Sequence, residues 1–203
     1  MFVKICGVRT VEDARMCADA GADAVGFNFW PGSIRFVTPD AIGPGARSLP
    51  SSLLRVGVFV NPTGPEVVAL LASGFIDVAQ LHGDEPPTLG PSLGGRFWKA
   101  LRLEGDASLA ELERHALAER LVIDAAGPGW GGTGRLANWA LAARAAERHR
   151  VLLAGGLTPE NVAEAIAAVR PYGVDVAGGV ETAPGVKAPE RVAAFLRAAK
   201  EAV

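Results

Sequence analysis

Short runs of β-branched and apolar residues recur along the chain, separated by longer segments in which apolar positions return every three or four residues. The first run is Phe2–Ile5. The segment TVEDARMCADAGA follows it, and Thr10 with Asp13 three residues on predicts a helix start, with Gly21 as its stop. Further strands are expected from Asp23, Leu53, Phe75, Arg96, Arg120, Arg150 and Gly173, which makes eight. Helical patterns between them span Pro39–Ser48, Gly64–Ser73, a short proline-interrupted piece after Asp84, Leu109–Ala118, Leu136–Glu147, Pro159–Val169 and Pro189–Ala202. Several open on a proline suited to a first turn, as in Thr158-Pro159.

Strand and helix in strict alternation predict a parallel sheet with right-handed crossovers. The strands read as near-continuous apolar runs, so both faces should be buried. An α/β fold that closes as a single-domain (β/α)8 TIM barrel over residues 1–203 meets these demands and leaves no edge strand. An open doubly wound sheet is the alternative. No GxGxxG opens the first helix, which argues against its dinucleotide-binding form.

Composition narrows the function classes. A hydrophobic fraction of 49% over 203 residues suits one filled α/β domain. A formal net charge of −2 supplies no field for a polyanion, so no nucleic-acid partner is expected and any anionic ligand must be caught locally. Two cysteines, Cys6 and Cys17, make no disulfide framework, and the N-terminus lacks a signal-peptide pattern; a cytoplasmic location is expected. No apolar run approaches the ~20 residues of a membrane span. A single Gln with many Ala, Arg and Pro is compatible with a heat-adapted source, or with genome base composition alone.

In a (β/α)8 barrel, chemistry belongs at the C-terminal ends of the strands. Polar residues do collect there: Cys6 after strand one, Asn28 and Arg35 after strand two, Asn61 after strand three, and Gln80 and His82 at strand four. Lys99 and Arg102 belong to strand five, Asp124 ends strand six, and Asp175 lies in strand eight. Gly155-Gly156 and Gly178-Gly179 close strands seven and eight. One glycine pair would read as turn chemistry, but two at consecutive strand ends in this position predict main-chain phosphate binding. No His/Cys/Asp spacing suggests a metal.

The segments KICGVRT, GFNFWPGSIRFV, VGVFVN, QLHGDE, DAAGPGWGGTGR, LAGGLTPENV and GVDVAGGVE, in that order from Lys4 to Glu181, resemble phosphoribosylanthranilate isomerase of tryptophan biosynthesis. The resemblance implies an Amadori rearrangement of N-(5-phosphoribosyl)anthranilate, an aminoaldose, to the 1-deoxyribulose 5-phosphate aminoketose, with no cofactor. It implies Cys6 as the base that takes the C2 proton and Asp124 as the acid that opens the ring. It places Arg35 on the anthranilate carboxylate, and Gln80, His82 and Asp175 on the open-chain sugar. It puts the phosphate on Gly155, Gly156, Gly178 and Gly179. An acid that keeps its proton needs a raised pKa, and a thiol base needs a lowered one, which a cation such as Lys4 would favour.

His82 reads equally as a packed strand-end histidine, and Asp175 as a structural carboxylate. The chain departs from the family pattern at Ala177-Gly178, where two serines are usual, and at Ala188, where a capping residue precedes Pro189. Trp30 and Trp130 are expected near the aromatic ring, and Trp98 and Trp139 in packing. Cys17 should be a buried small hydrophobe, and His115 and His149 should lie on solvated faces. Family members occur as monomers and homodimers, and a heat-adapted source would favour the dimer. The rivals are the histidine-pathway isomerase, which would carry an aspartate at Cys6 and a second phosphate site, and a catalytically idle barrel.

Overall fold

The apolar runs become the strands of one closed sheet. β1 (Phe2–Cys6), β2 (Ala24–Asn28), β3 (Leu54–Phe59), β4 (Val78–Leu81), β5 (Phe97–Arg102), β6 (Arg120–Asp124), β7 (Val151–Leu153) and β8 (Gly173–Val176) pair in chain order. β1 then pairs with β8, Phe2 opposite Gly173 and Lys4 opposite Asp175, and the barrel closes. The structure, a computed structural model, describes residues 1–127 and 134–202. Each barrel strand has two neighbours, so its backbone groups are paired on both sides.

Helices α1 (Val11–Asp19), α2 (Pro39–Ala46), α3 (Gly64–Ser73), α4 (Leu89–Ser92), α5 (Ala110–Arg114), α6 (Trp139–Ala146), α7 (Val162–Val169) and α8 (Pro189–Glu201) fill the intervals. Thr10 caps α1 as expected, its hydroxyl accepting from the Asp13 N–H at 3.0 Å. Other boundaries move where a polar side chain captures the backbone first. Asn161 takes the Thr158 N–H at 2.8 Å and donates to the Gly156 carbonyl at 3.0 Å, so α7 starts at Val162 instead of Pro159. The helix expected over Leu109–Ala118 opens as a 3₁₀ turn, Asp106–Leu109, and ends at Arg114. A short antiparallel hairpin, β9 (Glu181–Ala183) with β10 (Val186–Lys187), follows β8; the hydrophobic pattern did not announce it.

The two-residue period of the strands decides what faces where. Along β6, Leu121 and Ile123 join the large apolar layer between sheet and helices, whereas Val122 packs inside the barrel with Ala24, Val56, Val78, Trp98 and Leu152. The same alternation sends Val3 and Ile5 outward and leaves Phe2, Lys4 and Cys6 on the inner side of β1. The interior is therefore apolar at its base and polar at its C-terminal mouth. The base is capped by Arg120, whose guanidinium lies 4.2 Å from the Phe2 ring centre and 4.7 Å from that of Trp98. Trp98 is buried and Trp139 packs on the outer core, as expected. His115 is a correction: it is buried, and burial first of all lowers its pKa, so it is no solvated-face residue. His149 is half-buried beside Glu113.

The first turn of α8 has no side-chain cap at Ala188, the departure noted in the sequence. Ala188→Ser is expected to add about 1 kcal/mol and raise the thermal midpoint by about 2–4 °C for a domain of this size. Calorimetry checks this, and an unchanged or lowered midpoint would mean that the buried position does not admit the hydroxyl.

Candidate active site

A cleft of about 500 Å³ opens at the C-terminal mouth of the barrel. Cys6, Arg35, His82, Asp124 and Asp175 line it, and so do both glycine pairs, Gly155-Gly156 and Gly178-Gly179. Gln80 lies outside that lining, almost fully buried on the inner side of β4, with its Oε1 unpartnered. Lys99, grouped with the mouth residues by its strand, turns away from the cleft into a buried ion pair with Glu85 at 2.6 Å. That pair grips the turn after His82. Glu85 accepts from the Gly83 N–H at 2.9 Å, and Lys99 donates to the Gly83 carbonyl at 2.6 Å.

Cys6 shares the inner face of β1 with Lys4, which is fully buried and donates to Asp175 Oδ2 at 2.8 Å. Sγ of Cys6 and Cε of Lys4 both press on Gly26, 2.9 and 3.1 Å from where a Cβ would stand. Burial opposes the Lys4 charge, but Asp175 and Cys6 outweigh it and hold the amine as an ammonium. For Cys6 the balance goes the other way: burial pushes the thiol up, Lys4 pulls it down, and Asp175 adds to the rise, so the pKa is raised. Cys17 is buried as expected, with a pKa pushed up to about 12 mainly by burial.

Asp124 ends β6 with one oxygen hydrogen-bonded and the other close to His82, whose Nε2 makes no hydrogen bond among the described residues. Oδ1 accepts the Ala125 N–H at 2.7 Å, and Oδ2 lies 3.3 Å from Nε2 of His82. The Gln80 amide reaches Nδ1 of His82 at 3.3 Å, an arrangement that puts the ring proton on Nε2, facing Asp124. Burial works to raise the Asp124 carboxyl, but His82, the Ala125 N–H and Lys4 together hold it below the ordinary carboxylate range. The site is thus tuned opposite to the expectation for both groups: the thiol is raised and the carboxyl lowered.

Arg35 is brought to the cleft by a loop that its own polar residues build. Asn28 accepts from the Trp30 N–H at 2.9 Å and donates to Ser33 Oγ at 3.1 Å, and that hydroxyl accepts from the Arg35 N–H at 3.1 Å. The Arg35 stem crosses Gly7, which has φ +70° and whose missing Cβ would collide with Arg35 Cδ. Glycine is needed there for both reasons. The guanidinium donates through Nε and Nη2 to the two oxygens of Glu181, each at 2.7 Å. On the far wall, a Cβ on Gly179 would collide with the Leu157 carbonyl, so glycine lets the loops after β7 and β8 lie against each other. Trp30 lines the cleft as expected; Trp130 lies outside the described residues.

The family model for N-(5'-phosphoribosyl)anthranilate isomerase matches residues 3–198. The chain belongs to this isomerase family. It is 46% identical to N-(5'-phosphoribosyl)anthranilate isomerase of Geobacter metallireducens over 199 residues, 98% of either chain. It superposes on the phosphoribosyl anthranilate isomerase of Thermotoga maritima with a TM-score of 0.92 at 35% identity, covering 99% of both chains. A phosphoribosyl anthranilate isomerase in complex with reduced 1-(o-carboxyphenylamino)-1-deoxyribulose 5-phosphate matches with a TM-score of 0.88 at 33% identity, again over 99% of both. The (β/α)8 barrel is therefore the family's fold as well as this chain's. None of the helices in the described residues is long and apolar enough to cross a membrane.

Against the isomerase family's pattern, Ala177 and Gly178 take the place of serines, and here a lysine supports the loop. Lys187 is buried and donates to the Ala177 carbonyl at 3.0 Å and to Glu181 at 2.7 Å. Neither Glu181 nor Lys187 was given a role from the sequence. Glu181 does close the motif GVDVAGGVE, and Lys187 follows it by six residues, but Arg35 is 146 residues away from Glu181.

Proposed function

We propose that this chain works by general acid–base catalysis within one cleft, with Cys6 as base and Asp124 as acid. The chain is an intramolecular aldose–ketose isomerase of tryptophan biosynthesis. It converts N-(5-phosphoribosyl)anthranilate into 1-(2-carboxyphenylamino)-1-deoxyribulose 5-phosphate, C1 being reduced as C2 is oxidised. The observation that carries the acid–base reading is that Cys6 and Asp124, from β1 and β6, line the same cleft as two glycine strand ends.

In this reading the phosphate rests on main-chain groups of Gly155, Gly156, Gly178 and Gly179, close to the barrel's β7 and β8 ends. Arg35 receives the anthranilate carboxylate through a planar fork suited to that anion. Asp124 gives its proton to the furanose ring oxygen, the C1–O bond breaks, and a Schiff base forms at C1. Cys6 then removes the C2 proton, and the enolamine becomes the aminoketose as C1 gains a proton and the C2 hydroxyl loses one. His82 and Asp175 contact the sugar hydroxyls, and buried Gln80 sets the His82 tautomer. The whole of residues 1–203 serves this one site.

The raised thiol and lowered carboxyl fit this reading through a proton count. Thiolate with carboxylic acid holds as many protons as thiol with carboxylate, so the active form is a minor tautomer of the resting one. A bound phosphate and carboxylate raise the Asp124 pKa, and the cationic Schiff base lowers that of Cys6, so the substrate shifts the balance toward the active form.

The pH dependence follows. Between the two pKa values the active fraction is constant, so kcat/KM should show a broad plateau. It should fall on acidification only below the ordinary carboxylate range, as Asp124 gains a proton, and on the alkaline side only above the ordinary thiol range, as Cys6 loses one. Loss of anthranilate fluorescence on adding freshly generated substrate provides the assay. A narrow bell centred near about pH 7 would contradict the tuning described here.

A further inference from the structure

We propose that Glu181 is a positioning residue for substrate recognition: it grips Arg35 along the Nε–Nη2 edge and so leaves the adjacent Nη1–Nη2 edge for the aryl carboxylate. The proposal rests on the reading of Arg35 given above.

A guanidinium is a planar group with two edges, each able to take a carboxylate bidentately. Glu181 occupies one, with Nε to Oε1 and Nη2 to Oε2 both at 2.7 Å. With that edge taken, the Nη1–Nη2 edge is what Arg35 has left for a ligand, and Arg35 lines the cleft beside Gly178, whose missing Cβ would stand 3.3 Å from Nη2. Glu181 and the substrate would share Nη2 but use different hydrogens of it, so they do not compete for the same N–H. Each would hold one side of the same plane.

Glu181 is itself fixed. Its side chain is buried, and it accepts from Lys187 Nζ at 2.7 Å and from the Gly185 N–H at 3.1 Å as well as from Arg35. Lys187 matters for the charge count. Arg35 and Glu181 alone would cancel, and nothing would be left to attract an anion into a partly desolvated site. With the Lys187 ammonium on Glu181, two cations face one carboxylate, and the surplus positive charge is available to the ligand. The β9–β10 hairpin supplies both residues and holds them behind Arg35, while Gly7 gives the Arg35 stem its seat in front.

The test compares two ligands on the intact enzyme: the reduced product analogue, which carries carboxylate and phosphate, and ribose 5-phosphate, which carries phosphate alone. Glu181→Gln is expected to raise KM and the Kd of the product analogue by about tenfold, with kcat changed less than about threefold and ribose 5-phosphate binding unchanged. Glu181→Asp, which keeps the charge but shortens the reach to Arg35, should weaken the analogue in the same selective way, and it keeps the test open if Glu181→Gln does not fold. Equal weakening of both ligands, or of neither, overturns the proposal. Arg35→Met separates it from the reading beneath it. If that variant keeps the preference for the carboxylate ligand, the role of Arg35 fails; if it loses the preference while Glu181→Gln retains it, only the role of Glu181 fails.

Discussion

Cys6→Ala is expected to abolish measurable turnover while leaving binding of the reduced product analogue within about threefold of the native value. A positioned general base contributes on the order of 10²–10⁴ in rate, and the substrate offers no other base at C2. The binding groups are elsewhere: the fork of Arg35 is held by Glu181, and the glycine loops by main-chain contacts. The Lys4–Asp175 pair at 2.8 Å does not depend on the thiol, so the inner face of β1 should survive its loss. Fluorescence turnover and equilibrium titration on the same preparation read the two effects apart. Cys6→Ser sharpens the point, because a hydroxyl fits the same space but does not ionise in the working range; it should be nearly as inactive. Near-normal kcat in either variant would remove Cys6 from the chemistry.

Asp124→Val carries the second large effect. Valine has almost the shape of aspartate and no proton to give, so ring opening should slow by on the order of 10³-fold. The substitution also removes the acceptor of the Ala125 N–H, and an unpaired buried donor costs about 1–3 kcal/mol. A lower midpoint is therefore expected beside the lost activity. Asp124→Asn distinguishes the two causes: it keeps an acceptor for the Ala125 N–H but cannot act as an acid, so stability should largely return and turnover should not. Full turnover in the valine variant, or recovery of rate with stability in the asparagine variant, would leave the carboxyl a structural role only.

Much of this was legible in the chain because the signals are local. Strand and helix follow from apolar spacing within a dozen residues, and eight alternations leave few topologies. The site residues were legible for a related reason: the fold collects chemistry at strand ends, so Cys6, Asp124 and the glycine pairs could be located from their place in the alternation. The exceptions are instructive. Lys99 lies in mid-strand, and the alternation that turns Trp98 and Ala100 into the barrel turns it outward to the ion pair that clamps Gly83. His115 lies in a charged segment, yet it is buried. Strand alternation directs Lys99 and burial holds His115, so charge in the surrounding sequence does not predict exposure.

By itself, the sequence determined the barrel, its family and the strand ends where the chemistry sits, because periodicity and motif order are written in neighbouring residues. Only the tertiary structure decided how the site is charged. Lys4 meets Asp175 across 171 residues, and Arg35 meets Glu181 across 146. Protonation at Cys6 and Asp124 is set by burial set against such partners. Electrostatic energy depends on distance through space and on access to water, and neither is a property of position along the chain.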